Sequence, residues 1–175
     1  MKFKIHRTVK GLFLLFFTII FAGCQALSEE NKQARQLLLN KGIKYSEQAY
    51  IKAVKANDID TVKLFLSAGM PVDIKYKGYP VFFEPVIEGN LKMVQLLIEN
   101  GADVNSQHSA WKFTPLMKAS GKFYQPKIVE CLLKNGADPL LKERHGYTAL
   151  DIAFQNGKKD IVEIIRKHID STKPK

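Results

Sequence analysis

Four helix-loop-helix units, each about 33 residues long, recur through this chain from Tyr45 onward. The segment after each second helix marks them: Ser67-Ala68-Gly69-Met70-Pro71-Val72-Asp73, Glu99-Asn100-Gly101-Ala102-Asp103-Val104-Asn105 and Lys134-Asn135-Gly136-Ala137-Asp138-Pro139. The glycines stand 32 and 35 residues apart. Thr114 and Thr148, 34 apart, and Gly89 and Gly157, 68 apart, keep a second register of the same period. A unit of this length makes two short helices and leaves their apolar side bare. Only a row of such units, each covering the next, can bury it. The period therefore predicts an all-α solenoid.

The last unit shows how one repeat is built. Gly146-Tyr147 ends a turn, Thr148 is placed to cap a new helix, and Asp151 can return a bond to the same helix start. Leu150, Ile152, Ala153 and Phe154 make a short first helix that Gly157 ends. Residues 160–165 give a second helix with apolar positions at helical spacing. The third unit opens with Thr114-Pro115-Leu116, a cap followed by a proline in the first turn. Its second helix is expected over 127–135, with Gly136 closing it in a left-handed conformation.

These residues resemble the ankyrin repeat, and the resemblance covers about 45–170. It departs from the family pattern in places. Repeat two has Tyr79-Pro80-Val81-Phe82-Phe83 where the motif would supply a threonine cap. Phe83, Met117 and Asp151 stand in the motif's histidine slot, and Asn57 stands where glycine usually separates the helices. The resulting division is a capping helix over 28–44 and repeats over 45–77, 78–109, 110–143 and 144–170, with a tail over 171–175. Ser28-Glu29-Glu30 can start the capping helix, which carries Leu37, Leu38 and Leu39 and ends at Gly42.

Residues 1–10 carry Lys2, Lys4, Arg7 and Lys10 with no acid, and residues 11–23 are apolar apart from Thr18. This basic, apolar, small-residue order is that of a secretory signal over 1–23. The apolar stretch of 13 residues falls short of the roughly 20 that span a bilayer. Phe21-Ala22-Gly23-Cys24 resembles the bacterial lipobox, with Phe21 where leucine is usual. The resemblance implies that Cys24 is lipidated and becomes the new N-terminus, with 24–27 a short tether. Two or more acyl chains hold a protein stably where one does not. Gln25, rather than Asp, follows Cys24, which by the lipoprotein rule points to the outer membrane if the host has one. The expected location is the bacterial cell envelope.

Without the leader about 152 residues remain, enough for one domain. The net charge of +10 falls to about +6 once the four leader cations are removed. That balance suits either solvated outer helix faces or an anionic surface or acidic partner. No basic run interleaved with aromatics points to nucleic acid. Cys131 stands where other repeats place Leu64, Leu96 and Ile164, so it is expected to be a small buried apolar residue, with a reactive thiol as the alternative. His108 and His145 lie on successive loops with no carboxylate or nucleophile set beside them by motif. No phosphate-cradling loop, nucleophile elbow, metal-ligand spacing or cofactor motif is present, so no catalytic residue, metal or cofactor and no small-molecule substrate is expected.

Protein binding is the expected function. By the resemblance, the loops project like fingertips and line a groove with the first helices. The first fingertip holds Tyr76, Lys77 and Tyr79; the second, one residue longer, His108, Trp111, Lys112 and Phe113; the third Glu143, Arg144, His145 and Tyr147. Phe123 and Tyr124 lie in an inserted loop between the helices of repeat three. Aromatic and Arg side chains are the usual anchors of an interface, and Trp111 is the only tryptophan. Phe113 and Tyr147 are equally well placed to pack beneath their loops. The expected partner is another envelope protein. A protective or immunity-type inhibitor of a toxin or enzyme, using the same surface, is the alternative.

Overall fold

The computed structural model describes residues 29–123 and 125–172; Cys24, the lipobox, Ser28 and Tyr124 lie outside them. Helix α1 (29–40) precedes four helical pairs. These are α2 (Glu47–Lys55) with α3 (Ile59–Ser67), α4 (Phe83–Glu88) with α5 (Leu91–Glu99), α6 (Pro115–Ser120) with α7 (Pro126–Lys134), and α8 (Ala149–Gln155) with α9 (Lys159–Thr172). First helices pack in a row, α2 on α4 on α6 on α8, and α5, α7 and α9 form a second row behind them.

Local chemistry starts and stops each helix. Oxygens of Ser46, Asp58, Thr114 and Thr148 accept from the amides of Ala49, Thr61, Met117 and Asp151. At α8 the bond is returned, the Asp151 carboxylate accepting from the Thr148 amide at 2.8 Å. Helix α4 has no side-chain cap, as its missing threonine predicts. Asn57 takes φ 54° in the slot usually held by glycine, and Gly136 takes φ 84°. Asparagine tolerates the left-handed region better than most residues.

Two boundaries differ from expectation. Helix α7 begins at Pro126 rather than Lys127, since proline's fixed φ and missing N–H suit the first helical position. Helix α9 continues past 170 to Thr172. The fold is the expected all-α solenoid, with one short addition: β1 (Lys75–Tyr76) and β2 (Tyr79–Pro80) pair antiparallel at the first fingertip.

The core is a single band running the length of the stack. Val62, Phe65, Val94, Leu97, Val129, Leu132, Ile161 and Ile165 of the second helices are all fully buried. At the near end Tyr50 and Tyr45 pack on Phe65, with ring centroids 5.8 and 6.0 Å away. Helix α1 closes this end with Ala34 and Leu38 facing inward. Arg35 lays its guanidinium 4.3 Å from the Tyr45 ring centroid and donates to the Ala68 carbonyl at 3.2 Å. Leu37 and Leu39 point outward, because a single helix can turn only one face to the stack.

A polar ladder tracks the apolar one. Asp73 and Asn105, at equivalent positions, accept from the amides of Asp103 and Asp138 in the following repeats, at 3.4 and 2.8 Å. Asn105 also donates to the Gly136 carbonyl at 3.0 Å.

The placement of α1 predicts a contrast between adjacent leucines. Leu38→Ala should destabilise by about 2–5 kcal/mol, the range for emptying a buried leucine site, whereas Leu39→Ala should stay within about 0.5 kcal/mol. Urea denaturation followed by circular dichroism measures both, and equal effects would mean that α1 does not dock as described.

Candidate functional site

The three fingertips are positioned by the stack and then bonded to one another. In the first, Lys77 and Gly78 form a two-residue turn with φ 51° and 89°, the positive values that match the twist of paired strands. A Cβ at Gly78 would come within 3.0 Å of the Ser109 hydroxyl and 3.2 Å of His108 Nε2. The second fingertip presses this closely, and the Ser109 amide donates to the Gly78 carbonyl at 2.8 Å.

The second loop is closed by amide bonds from His108 to the Phe113 carbonyl and from Lys112 to the His108 carbonyl, both 2.9 Å. Nδ1 of His108 accepts from the amides of Ala110 and Trp111 at 3.2 Å, which assigns the ring proton to Nε2. Lys112 is left-handed, at φ 59°. The Arg144 amide then donates to the Trp111 carbonyl at 3.0 Å, joining the third fingertip to the second.

Glu143 organises that third loop from inside. Its side chain is 2% exposed. Its carboxylate accepts from the amides of His145 at 2.7 Å and Tyr147 at 3.2 Å and lies 3.1 Å from His145 Nδ1. Burial raises its proton affinity, but the bonds from Tyr147 and His145 outweigh it and hold the carboxyl below its usual range. Both histidines are therefore parts of the loop scaffold. Among the described residues no group of three or more His, Cys, Asp or Glu could hold a metal ion.

The side chains singled out in the sequence gather into three clusters. Tyr79 lies 5.4 Å from Phe83 and 5.6 Å from His108, and its hydroxyl donates to Glu84 at 3.4 Å. Burial and the Glu84 charge raise the Tyr79 pKa. Tyr76, beside it, has the Lys55 and Lys77 ammonium groups 4.9 and 5.2 Å from its ring centroid. Trp111 stacks on His145 at 6.1 Å with the Arg144 guanidinium 5.5 Å from its ring, and it remains 46% exposed. Phe113, Phe123, His145 and Tyr147 line a groove of about 480 Å³ between the third and fourth pairs. Phe113 is half-buried there and Tyr147 exposed, so only the former packs down.

Lys118 was not legible as a site residue. Its ammonium lies 4.1 Å from the Phe113 ring centroid in the same groove, and burial lowers its pKa.

Cys131 corrects the expectation of a buried residue. It is half-buried on the outer flank of α7, as are Leu64 and Ile164 at equivalent positions, while Leu96 is buried. Burial is still enough to raise its pKa, so the thiol is not activated.

Stacked helical pairs with a bonded row of loops along one edge define a repeat solenoid that presents an extended surface. The chain matches the family model of ankyrin repeats (3 copies) over residues 23–108 and again over 86–174, and it belongs to that family. It is 35% identical over 137 residues to an ankyrin repeat-containing protein of Treponema pallidum, covering 78% of this chain and 45% of that one. Ankyrin repeat and SAM domain-containing protein 6 of Rattus norvegicus is 40% identical over 80 residues, 46% of this chain and 9% of that protein. Protein phosphatase 1 regulatory subunit 27 of Mus musculus is 28% identical over 138 residues, 77% of this chain and 88% of its own length. The chain thus spans less than half of the first two relatives. Ankyrin repeats imply protein–protein interaction.

Acid should loosen the fingertips. Asp58 is lowered by bonds from the Thr61 amide and hydroxyl, Asp151 by bonds from Thr148, and Glu143 as described; Asp73 alone is raised, chiefly by burial. A carboxyl with a depressed folded pKa stabilises fully above its unfolded pKa and loses that contribution as the pH falls through the folded value. The urea midpoint should hold between about pH 5 and 7 and fall below about pH 4. Glu143→Gln should lower the midpoint at neutral pH and flatten the acid decline. A decline as steep as in the unaltered protein would show that Glu143 does not contribute.

Proposed function

We propose that this chain is a lipid-anchored, non-enzymatic binding module of the bacterial cell envelope, gripping another envelope protein with its fingertips and groove. The observation that carries the binding half is the continuity of the row. Two interloop amide bonds, Ser109 to Gly78 and Arg144 to Trp111, hold three loops as one unit. A surface ordered before contact loses less entropy on association. Within it Trp111, Tyr147 and Phe123 stay 46%, 45% and 40% exposed, in the side-chain types that anchor interfaces. One relative, the SAM domain-containing protein, carries such repeats within a much longer chain, and another is named as a regulatory subunit of a phosphatase.

The anchoring half rests on the sequence. A basic start, an apolar stretch of 13 residues and Phe21-Ala22-Gly23-Cys24 supply the order that lipoprotein processing needs. Lipid on Cys24, followed by Gln25, places the module at an outer membrane where the host has one. Cys24 stands only five residues before the first described helical residue, Glu29, so the tether holds the solenoid close to the lipid.

Two measurements test the halves separately. A photoreactive residue replacing Tyr79 in intact cells should crosslink to a discrete protein, and Trp111→Ala added to that chain should lose the crosslink with its circular dichroism unchanged. A crosslink that survives Trp111→Ala would move the binding surface elsewhere. Labelled palmitate should enter the unaltered chain and not Cys24→Ala; an unlabelled unaltered chain would remove the anchor.

A further inference from the structure

Within the stack, one face of each helical pair is covered by the pair that follows. The amides of Asp58, Asn90, Gln125 and Lys158 donate to the carbonyls of Ala53, Pro85, Ala119 and Ala153, which brings the four first helices into one register. The next residues are Val54, Val86, Ser120 and Phe154. The first three are at most 1% exposed, and Phe154 is 71% exposed. The second helices repeat the contrast: Val62, Val94 and Val129 are fully buried and Val162 only half. A capping pair facing water carries polar groups at such positions. Here the face keeps a phenylalanine and a valine, and with Lys159, Glu163, Arg166 and Asp170, flanked by Lys158 and Lys167, they line a trough of about 710 Å³. No described element covers it.

We propose that this trough docks a second copy of the same chain, packed two-fold with the α9 helices antiparallel. The charges on α9 carry the argument. Positions 159, 163, 166 and 170 advance by four, three and four, the spacing of a seam between packed helices. Their signs alternate: cation, anion, cation, anion. An antiparallel copy sets Lys159 against Asp170 and Glu163 against Arg166, opposite signs at every layer. A parallel copy in register sets like against like. Self-complementarity of this kind is what a two-fold contact requires. Neither Glu163 nor Arg166 belongs to an ion pair among the described residues. Phe154 supplies the apolar area, and the charges set the register.

Other occupants fit less well. An anionic lipid surface would attract the cations but leave Glu163 and Asp170 facing phosphate. Head-to-tail stacking would give an open fibre, and α1 already seals the opposite end.

Sedimentation of the full-length chain in density-matched detergent tests this. The unaltered protein should shift from monomer to dimer as concentration rises. Phe154→Glu, altering an exposed residue, should remain monomeric with unchanged circular dichroism. Glu163→Arg and Arg166→Glu should each be monomeric alone, since each places like charges in contact twice. Mixed in equal amounts they should restore the dimer, because every contact is again between opposite signs. A protein that stays monomeric to millimolar concentration would overturn the proposal, as would single variants that dimerise normally. Binding of the unaltered monomer to phosphatidylglycerol vesicles, abolished by Phe154→Glu, would overturn it in favour of a lipid face.

Discussion

Everything in this structure depends on each helical pair being covered by the next. No pair has a core of its own. Val54 and Val62 of the first are buried only because the second pair lies across them, and Val86 and Val94 of the second because the third does. Stability in such a chain is a sum of weak units and strong interfaces between neighbours. That explains why the near end needs α1. Phe65 and Tyr50 would otherwise face water, and the helix that covers them is fastened by Leu38 from within and by Arg35 at the rim.

The same stacking positions the surface that matters for function. A fingertip can reach the next fingertip because the pairs beneath repeat at a fixed separation. The Gly78 contact with Ser109 and the Trp111 contact with Arg144 are read off that spacing. Polar groups along the edge are then satisfied between repeats, by Asp73 and Asn105 on the amides that follow them, rather than by water. Glu143 does the equivalent within one loop. The cost of withdrawing its charge from solvent is offset by two amides and an imidazole. Polar side chains thus shape the row, while aromatic and cationic ones are left on its outside.

How much of this was legible follows from what each signal encodes. Helix starts at Thr114-Pro115 and Thr148, and the left-handed stop at Gly136, depend on chemistry within a few residues, so the sequence states them directly. The solenoid was legible for the same reason, written four times over. Contacts between repeats were not. Glu143 reads as one more charged loop residue until its loop closes around it. Lys77-Gly78 reads as loop until the strands on either side are seen to pair. Cys131 aligned with leucine and isoleucine and was expected inside, yet of the equivalent side chains only Leu96 is buried, Leu64 and Ile164 lying half on the flank. Hydrophobic spacing says which side of a helix is apolar but not where the buried band ends. Lys118 over Phe113, and the pairing of Trp111 with His145, join different stretches of chain and needed coordinates.

A solenoid has two kinds of free surface, and they answer to different rules. The long edge is free in every repeat, so residues there vary without disturbing the stack, and the fingertips can hold Tyr, Trp and Arg at little cost to the fold. The end faces are not free in this sense. They are the same packing surface as every interior junction, exposed only where the row stops. A residue such as Phe154 is therefore under the geometry of stacking even when nothing in its own chain stacks on it. Substitutions along the edge should change what is bound, and substitutions at the end faces should change what the stack can be joined to.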